Sequence, residues 1–118
     1  MKKILIVEDD LDHVKVLQLR LKSNDYELVT ATNGDEGLRK AESERPDLII
    51  LDVSMPGIDG HTMAHAMRLV QSLQAIPIIV TTGRKGIEDQ FGIDNVKGYF
   101  VKPYDGKELL KKVQLILS

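Results

Sequence analysis

The sequence predicts an α/β fold, in which five parallel strands form one sheet with helices on both of its faces. Three short runs, 4–7, 48–51 and 76–80, are almost continuous in Ile, Leu and Val. Such runs are typical of strands that are covered on both sides, whereas half-exposed strands alternate apolar and polar residues. Between them, apolar residues recur every three or four positions, as on one face of a helix. This alternation favours right-handed crossovers and a parallel sheet.

Two weaker apolar runs complete the set of strands. They span 28–31 and 98–101, and they include Thr or Gly beside Leu, Val, Tyr and Phe. With these runs, the sequence contains the pattern of a strand followed by a helix five times in succession. We therefore predict a single domain over residues 1–118, with no linker, repeat or low-complexity segment in the sequence.

The first two predicted helices are defined by their apolar spacing and by their ends. In the first, 12–22, apolar residues recur at spacings of three and four. The second, 35–44, begins after the turn pair Asn33-Gly34. It ends before Pro46, because the residue that precedes a proline avoids helical geometry.

The third and the fifth predicted helices each carry one apolar stripe, whereas the segment between them is weak. The third spans 60–73, and the fifth opens at Asp105 and runs to residue 117. Asp105 and Glu108 have the spacing of a capping box. The segment 84–95 contains two glycines and few apolar residues. We therefore predict that the fourth helix, within this segment, is short or mobile.

The composition is that of an ordinary globular domain, and it excludes several classes of function. Hydrophobic residues make up 42% of the 118 residues and charged residues 29%. Without Cys, the chain has no thiolate metal site and no cysteine nucleophile. The formal net charge of −2 is too small to indicate a surface for nucleic acid or for a membrane. The first apolar run has only four residues, too few for a signal peptide or a membrane span, so we predict a cytoplasmic protein.

Polar side chains follow four of the five predicted strands, at the point where each strand ends. In open parallel sheets, ligands bind outside the carboxyl ends of the strands. The residues at these ends are Glu8, Asp9 and Asp10 after the first strand, Asp52 after the third, Thr81, Thr82 and Gly83 after the fourth, and Lys102 after the fifth. The predicted topology therefore brings carboxylates, a hydroxyl and an ammonium to one edge of the sheet.

The charges at this edge indicate a divalent cation. Asp9 and Asp52, on neighbouring strands, repel each other unless a cation lies nearby. An all-oxygen site with few protein ligands suits Mg²⁺, or Mn²⁺, and Lys102 adds one further positive charge. A divalent ion and a lysine stabilise an incoming phosphoryl group, and a carboxylate is a competent nucleophile toward phosphorus. This chemistry would explain why a buried strand ends on Asp52.

Four motifs, in order along the chain, resemble those of the response-regulator receiver domain of two-component signalling, of the chemotaxis-regulator type. "ILIVEDD" is similar to the family's first strand with its acidic pair, and "PDLIILDVSMPGIDG" to its phospho-acceptor strand and loop. "IPIIVTTG" and "GYFVKPYDGKEL" are similar to its fourth and fifth strands. The resemblance covers essentially the whole chain, and four ordered motifs are far more specific than one. It implies a flavodoxin-like, doubly wound sheet with strand order 2-1-3-4-5.

The resemblance implies a role for each acidic residue at the sheet edge. By position, Asp52 is the phospho-acceptor and also a metal ligand. Asp9 binds the metal directly, and Glu8 binds it through water. Ser54, two residues beyond Asp52, offers its main-chain carbonyl to the same ion. The implied cofactor is Mg²⁺ or Mn²⁺.

The resemblance also implies which residues contact the phosphoryl group and respond to it. Thr82 hydrogen-bonds the phosphoryl oxygens, with the small residue Gly83 beside it, and Lys102 pairs with the phosphoryl charge. Tyr99, three residues before Lys102, occupies the family's aromatic switch position. Thr82 is implied to move toward the phosphate, and Tyr99 to turn inward into the vacated space. The bond between Lys102 and Pro103 is commonly cis in the family.

The implied mechanism defines the partners. A sensor histidine kinase or a phosphotransfer protein donates a phosphoryl group from its phosphohistidine to Asp52. The surface of the fourth helix, fifth strand and fifth helix then changes its preference for an output protein or domain, which the sequence does not identify. The domain itself is expected to bind neither nucleic acid nor a membrane, and to be a monomer or a phosphorylation-linked dimer. It is a switch and not an enzyme, apart from its own phosphorylation and dephosphorylation.

Three other functions stay open on the sequence alone. The run from Asp10 to Val14 fits the nucleophile motif of a haloacid-dehalogenase-type phosphohydrolase, but the first strand ends at Val7, too far before Asp10. A flavodoxin-like cofactor binder would need a phosphate loop after the first strand, where three acids stand instead. A degenerate receiver, acting as a constitutive interaction module, is disfavoured by the complete set of acidic, hydroxyl and lysine residues.

The three histidines suggest weaker alternatives. His61 and His65, at i and i+4 of the third predicted helix, have the spacing of a zinc-binding pair, but no third ligand accompanies them at motif spacing. We therefore expect both on an exposed polar face. His13, near the start of the first helix, is also expected at the surface.

Overall fold

The structure, a computed structural model, describes residues 1–22, 24–53, 60–83 and 95–118, without the side chain of residue 61. The sequence predicts a short or mobile fourth helix within 84–95, and residues 84–94 of this segment lie outside the described residues. The described elements are β1 (Lys3–Val7), α1 (Leu11–Lys22), β2 (Glu27–Ala31), α2 (Gly34–Glu44), β3 (Leu48–Asp52), α3 (Gly60–Met67), β4 (Ile78–Thr82), β5 (Val96–Val101) and α4 (Gly106–Leu117). Helix α4 is therefore the fifth helix predicted from the sequence.

The five strands form one sheet in the order β2-β1-β3-β4-β5, and all neighbours are parallel. This arrangement confirms the predicted α/β, flavodoxin-like fold. The register aligns the carboxyl ends of the central strands: Asp52 of β3 lies opposite Thr81 of β4, and Thr82 lies opposite Val101 of β5. The residues that follow these strands consequently meet at one edge.

The core consists of two layers, one on each face of the sheet, because successive side chains of a strand point to opposite faces. One layer contains Leu5, Val7, Ile49 and Leu51 of the central strands with Ala41 of α2 and Met63 and Met67 of α3. The other contains Ile4, Ile6, Leu48 and Ile50 with Leu17 and Leu21 of α1 and Leu109 and Val113 of α4. Burial on both faces explains the continuous apolar runs of β1 and β3. None of the described helices combines the length and the apolar character that crossing a bilayer requires.

Helix α3 is shorter than predicted. It ends at Met67 and not at residue 73, because the backbone changes there to tighter turns. The amides of residues 68, 69 and 70 donate to carbonyl oxygens three residues earlier. The side-chain amide of Gln74 donates to the carbonyl oxygen of Arg68 at 2.7 Å, so this oxygen has a hydrogen-bond partner although the helix does not continue. Leu73 still reaches the core through these turns, and it is almost fully buried.

Strand β4 begins and ends later than the predicted run 76–80. Pro77 has no amide hydrogen to donate to a sheet. Pairing with the β5 side therefore starts at Ile78, whose amide donates to the carbonyl oxygen of Asn95 at 2.8 Å. At the other end, the strand includes Thr81 and Thr82, which are both buried. The later end places these hydroxyl residues inside the paired sheet.

Asn33 caps helix α2, and its replacement by alanine is expected to destabilise the fold. The Asn33 side chain accepts a hydrogen bond from the amide of Glu36 at 2.8 Å. Losing this acceptor should lower the free energy of unfolding by about 1 kcal/mol and the melting temperature by about 4 °C. Thermal unfolding followed by circular dichroism measures both, with Asn33→Asp as the matched control, since aspartate keeps the acceptor. An alanine variant that unfolds at the wild-type temperature would contradict this role.

Candidate functional site

The carboxyl edge of the sheet brings together the acidic residues and the lysine that the sequence predicted there. Glu8 follows β1, Asp52 is the last residue of β3, and Lys102 follows β5. The Lys102 ammonium lies 2.9 Å from Glu8 Oε1 and 3.4 Å from Asp52 Oδ2. Three segments that are far apart in sequence therefore meet within hydrogen-bond distance.

Glu8, Asp9 and Asp52 form a carboxylate cluster in which two members are buried. The side chains of Glu8 and Asp52 are 2% and 3% exposed, whereas Asp9 is exposed. One oxygen of each residue lies within 4.8 Å of the others. Carboxylates at this distance repel one another, and burial strengthens the repulsion because water no longer screens it. The single ammonium of Lys102 balances only part of this charge.

Lys102 is subject to two opposing effects. Burial lowers the pKa of its ammonium, because the charged form is poorly solvated, while the hydrogen bond to Glu8 and the negative charges of Asp52 and Glu8 raise it. The attraction prevails, so the pKa of Lys102 lies above its ordinary value of 10.5. Lys102 therefore stays positively charged beside Asp52 at neutral pH.

Thr82 and Gly83 lie next to Lys102 at the end of β4. The backbone amide of Lys102 donates to the carbonyl oxygen of Thr82 at 2.7 Å, which holds the ends of β4 and β5 together. Thr82 is buried and Gly83 is exposed. A Cβ atom built on Gly83 would meet no described atom within 4 Å. The peptide bond between Lys102 and Pro103 is cis, as the resemblance implies.

Tyr99 lies on β5, opposite Val80 of β4. Its side chain is half-buried and packs against the core layer that faces α2 and α3. The structure thus gives the position of this aromatic residue, and its role as a switch stays a prediction. Ser54 and the side chain of His61 lie outside the described residues, so the carbonyl ligand and the exposed position of His61 stay predictions of the sequence. His65 is half-buried, whereas the sequence placed it on an exposed face.

Asp10 lies beside the carboxylate cluster but caps helix α1. Its Oδ1 accepts hydrogen bonds from the amide of Asp12 at 3.0 Å and from that of His13 at 3.4 Å. This is the usual role of an aspartate at the start of a helix. The geometry therefore disfavours Asp10 as the nucleophile of a phosphohydrolase.

His13 contacts the site, which corrects its predicted place at the surface. Its side chain is only 16% exposed, with Nδ1 hydrogen-bonded to Glu8 Oε1 and Nε2 to the hydroxyl of Tyr104. The ring of Tyr104 also packs edge-on against those of His13 and Phe100, with centroids 5.6 and 5.7 Å away. Burial, followed by the charge of Glu8, raises the pKa of the Tyr104 phenol well above its ordinary value. No pattern in the sequence predicted either contact of His13.

The chemistry and the size of the carboxylate cluster fit a hard divalent cation. Carboxylate oxygens are the ligands that Mg²⁺ and Mn²⁺ prefer. Two oxygens that both bind Mg²⁺ directly, at about 2.1 Å, are at most about 4.2 Å apart. The oxygens of Glu8, Asp9 and Asp52 lie within 4.8 Å, so small side-chain movements or a bridging water would complete a site. These three residues could therefore hold the ion.

This fold and this edge are those of a receiver domain. The chain belongs to that family: the family model of the response regulator receiver domain matches residues 4–114. The match includes every residue of the carboxylate cluster and Lys102.

Relatives of known identity support the family assignment. The chain is 37% identical, over 121 residues, to the alkaline phosphatase synthesis transcriptional regulatory protein PhoP of Bacillus subtilis. The match covers 98% of this chain and 48% of PhoP, so the chain spans about half the length of that relative.

Solved structures support the fold assignment. The response regulator protein TrrA from Thermotoga maritima, in complex with Mg²⁺-BeF, is 34% identical, with a TM-score of 0.87 over 98% of this chain and 99% of that chain. The structure of histidine kinase ThkA in complex with TrrA contains a chain that is 36% identical, with a TM-score of 0.85 and full coverage of both chains.

Proposed function

We propose that this domain is a phosphorylatable signalling switch, which accepts a phosphoryl group from a histidine kinase on Asp52. The observation that carries the proposal is the position of the Asp52 carboxylate, buried at the carboxyl edge of the sheet. It lies 3.4 Å from the Lys102 ammonium and within 4.8 Å of carboxylate oxygens of Glu8 and Asp9. A nucleophile, a cation and the oxygen ligands for a divalent ion thus occupy one site.

The reaction needs little from the protein beyond a nucleophile and charge stabilisation. An oxygen of Asp52 attacks the phosphorus of a phosphohistidine on the partner. A P–O bond forms while the P–N bond breaks, and the electron pair of that bond returns to the imidazole, which takes up a proton. Lys102 remains charged and pairs with the phosphoryl oxygens. Thr82 donates its hydroxyl to the same group, and Gly83 leaves space for it.

Glu8, Asp9 and Asp52 would hold Mg²⁺ or Mn²⁺ together with the main-chain carbonyl of Ser54. In this arrangement Asp9 and Asp52 would bind the ion directly, and Glu8 would bind it through water. The exposure of Asp9 supports this division, because it leaves room for the several waters that Mg²⁺ usually keeps. When bound, the ion neutralises charge that develops on the phosphoryl oxygens.

Phosphorylation would shift the population between two states, and it can do so only if one state binds the new charge better. Thr82 and Lys102 supply that difference, because both can approach the phosphoryl group. Movement of Thr82 would free space into which Tyr99 turns. Tyr99 and its neighbours on β5 and α4 border a surface groove, lined in part by Gly98, Phe100 and Lys111. A change at this surface, and in the fourth helix predicted from the sequence, would alter the affinity for the output partner.

The proposed partners follow from this switch. A sensor histidine kinase or a phosphotransfer protein supplies the phosphoryl group, as the crystallised complex of ThkA with TrrA suggests. PhoP is a transcriptional regulatory protein, so an output domain or protein in a longer regulator is one candidate for the downstream partner. We propose that the domain acts in the cytoplasm as a monomer or a phosphorylation-linked dimer, and that it binds neither nucleic acid nor a membrane itself.

Incubation with acetyl phosphate tests the proposed function. We expect intact mass spectrometry to find one added phosphoryl group, only when Mg²⁺ is present, and Phos-tag electrophoresis to show one shifted band. Treatment with base should remove the group, because an acyl phosphate is labile to base. A chain that gains no phosphoryl group would be a degenerate receiver. Repeated turnover of p-nitrophenyl phosphate without a stable adduct would instead indicate a phosphohydrolase.

A further inference from the structure

A chain of hydrogen bonds leads from the loop between β5 and α4 to the carboxylate cluster. The Tyr104 hydroxyl contacts His13 Nε2, and His13 Nδ1 contacts Glu8 Oε1. The Lys102 ammonium reaches the same Glu8 oxygen at 2.9 Å. Neither His13 nor Tyr104 belongs to the set of residues that the proposed reaction requires. Their contacts therefore serve a purpose other than the transfer of the phosphoryl group.

The direction of the central hydrogen bond follows from its acceptor. A carboxylate accepts and does not donate, so His13 Nδ1 carries the hydrogen and donates it to Glu8 whatever the charge of the ring. The raised pKa keeps the Tyr104 phenol protonated, so its hydroxyl can donate to Nε2 of a neutral His13. Glu8 thus fixes the tautomer, and the hydroxyl helps to fix the orientation of the ring, in the way that outer partners orient metal-binding histidines.

The Glu8 carboxylate is held from several sides. Oε1 accepts from His13 and Lys102, and Oε2 accepts from the backbone amide of Asp10 at 3.3 Å. The lysine is a compact charge on a flexible stem, and it also contacts Asp52, so it fixes the direction of Glu8 poorly. The planar ring of His13 is mostly buried and packs edge-on against Tyr104, so it gives the carboxylate one preferred orientation.

We propose that His13 and Tyr104 are positioning residues, which hold the Glu8 carboxylate in the orientation that binds the divalent ion through water. This inference rests on the proposed function, because it assumes that Glu8 serves a metal site. It assigns His13 no contact with the ion or with the phosphoryl group. Its effect appears in the affinity for the metal, and not in the chemistry of the acceptor.

The test is a titration of the wild-type chain and two variants with MgCl₂ by isothermal titration calorimetry. His13→Leu removes the donor but keeps a side chain of similar size. His13→Asn is the matched rescue, because the asparagine amide nitrogen can take the place of Nδ1. We expect the dissociation constant for Mg²⁺ to rise about tenfold in the leucine variant, at the lower end of effects reported for outer partners of metal ligands. The asparagine variant should stay near the wild-type value.

A Tyr104→Phe variant tests the outer member of the chain and is expected to have a smaller effect on the affinity for Mg²⁺. It removes the hydroxyl and keeps the ring contacts, so we expect a rise in the dissociation constant that lies between those of the two His13 variants. In each variant, the rate of phosphoryl uptake from acetyl phosphate at saturating Mg²⁺ should match the wild type, while the Mg²⁺ concentration for half-maximal rate rises. A residue that served only to stabilise the fold would not show this split or the rescue by asparagine.

The outcomes separate this inference from the proposed function. If the wild-type chain binds Mg²⁺ and is phosphorylated, but His13→Leu has the same or a higher affinity for Mg²⁺, the positioning role is wrong and the proposed function stands. If the asparagine variant binds Mg²⁺ as weakly as the leucine variant does, the donor role of Nδ1 is wrong. If the wild-type chain neither binds Mg²⁺ nor gains a phosphoryl group, the proposed function itself fails.

Discussion

An Asp52→Asn variant is expected to gain no phosphoryl group from acetyl phosphate at any Mg²⁺ concentration. The amide that replaces the carboxylate has no anionic oxygen to attack phosphorus, and it removes one of the oxygens that could hold the ion. Intact mass spectrometry after incubation measures the loss directly. The wild-type chain should reach one phosphoryl group per molecule under the same conditions.

The fold should tolerate this substitution, so that a loss of phosphorylation reports on the chemistry. Asparagine has the shape of aspartate, and Lys102 retains its contact with Glu8. Asp47→Asn is a matched control, because Asp47 is an exposed aspartate just before β3, at the opposite edge of the sheet, where it accepts from the amide of Lys3 at 2.8 Å. We expect the control to be phosphorylated like the wild type. An adduct on Asp52→Asn, stable to base, would place the acceptor elsewhere.

Much of the fold could be predicted because the amino-acid composition of each strand indicates how deeply that strand is buried. Strands β1 and β3 lie in the middle of the sheet and are buried on both faces, so their sequences are continuous apolar runs. Strands β2 and β5 lie at the edges and are less buried, which makes their apolar signal weaker. The end of α3 was predicted wrongly, because residues 68–73 are compatible with a helix and only their hydrogen bonds define the turns.

The carboxylate cluster could be predicted from topology alone. Parallel strands place their carboxyl ends at one edge, so Glu8, Asp52 and Lys102 needed only the correct strand order to meet. The contacts of His13 could not be predicted from the strand order. A helical signal was available, since His13 lies four residues before the buried Leu17. Its partners, however, are brought to it by the packing of α1 against the loop before α4, which no local pattern of the sequence encodes.

A Lys102→Met variant is expected to take up phosphoryl groups from acetyl phosphate about a hundredfold more slowly than the wild type. This is the usual effect of removing one hydrogen-bond donor to the negative charge that develops in a transition state. Methionine keeps an unbranched apolar side chain but cannot donate to the phosphoryl oxygens. Initial rates at saturating Mg²⁺, read by mass spectrometry, measure the effect. Lys97→Met is the control, because Lys97 is an exposed residue of the same segment that ends in Lys102. Equal rates for both variants would exclude Lys102 from the reaction.

The same variant should also lower the stability at neutral pH, because Glu8 and Asp52 then lie buried without the ammonium between them. Removing one partner of a buried ion pair costs about 3–5 kcal/mol, and we expect about 2 kcal/mol here, since the Lys102 side chain is 27% exposed and water screens part of the charge. The pKa of Lys102 is raised above 10.5, so its contribution is fully present below that pH and is lost as the pH rises through the folded-state pKa. Thermal unfolding of both proteins should therefore show a constant difference from neutral pH up to about pH 10 that shrinks only at higher pH. A difference that disappeared already near neutral pH would mean that another group, and not the Lys102 ammonium, stabilises the two carboxylates.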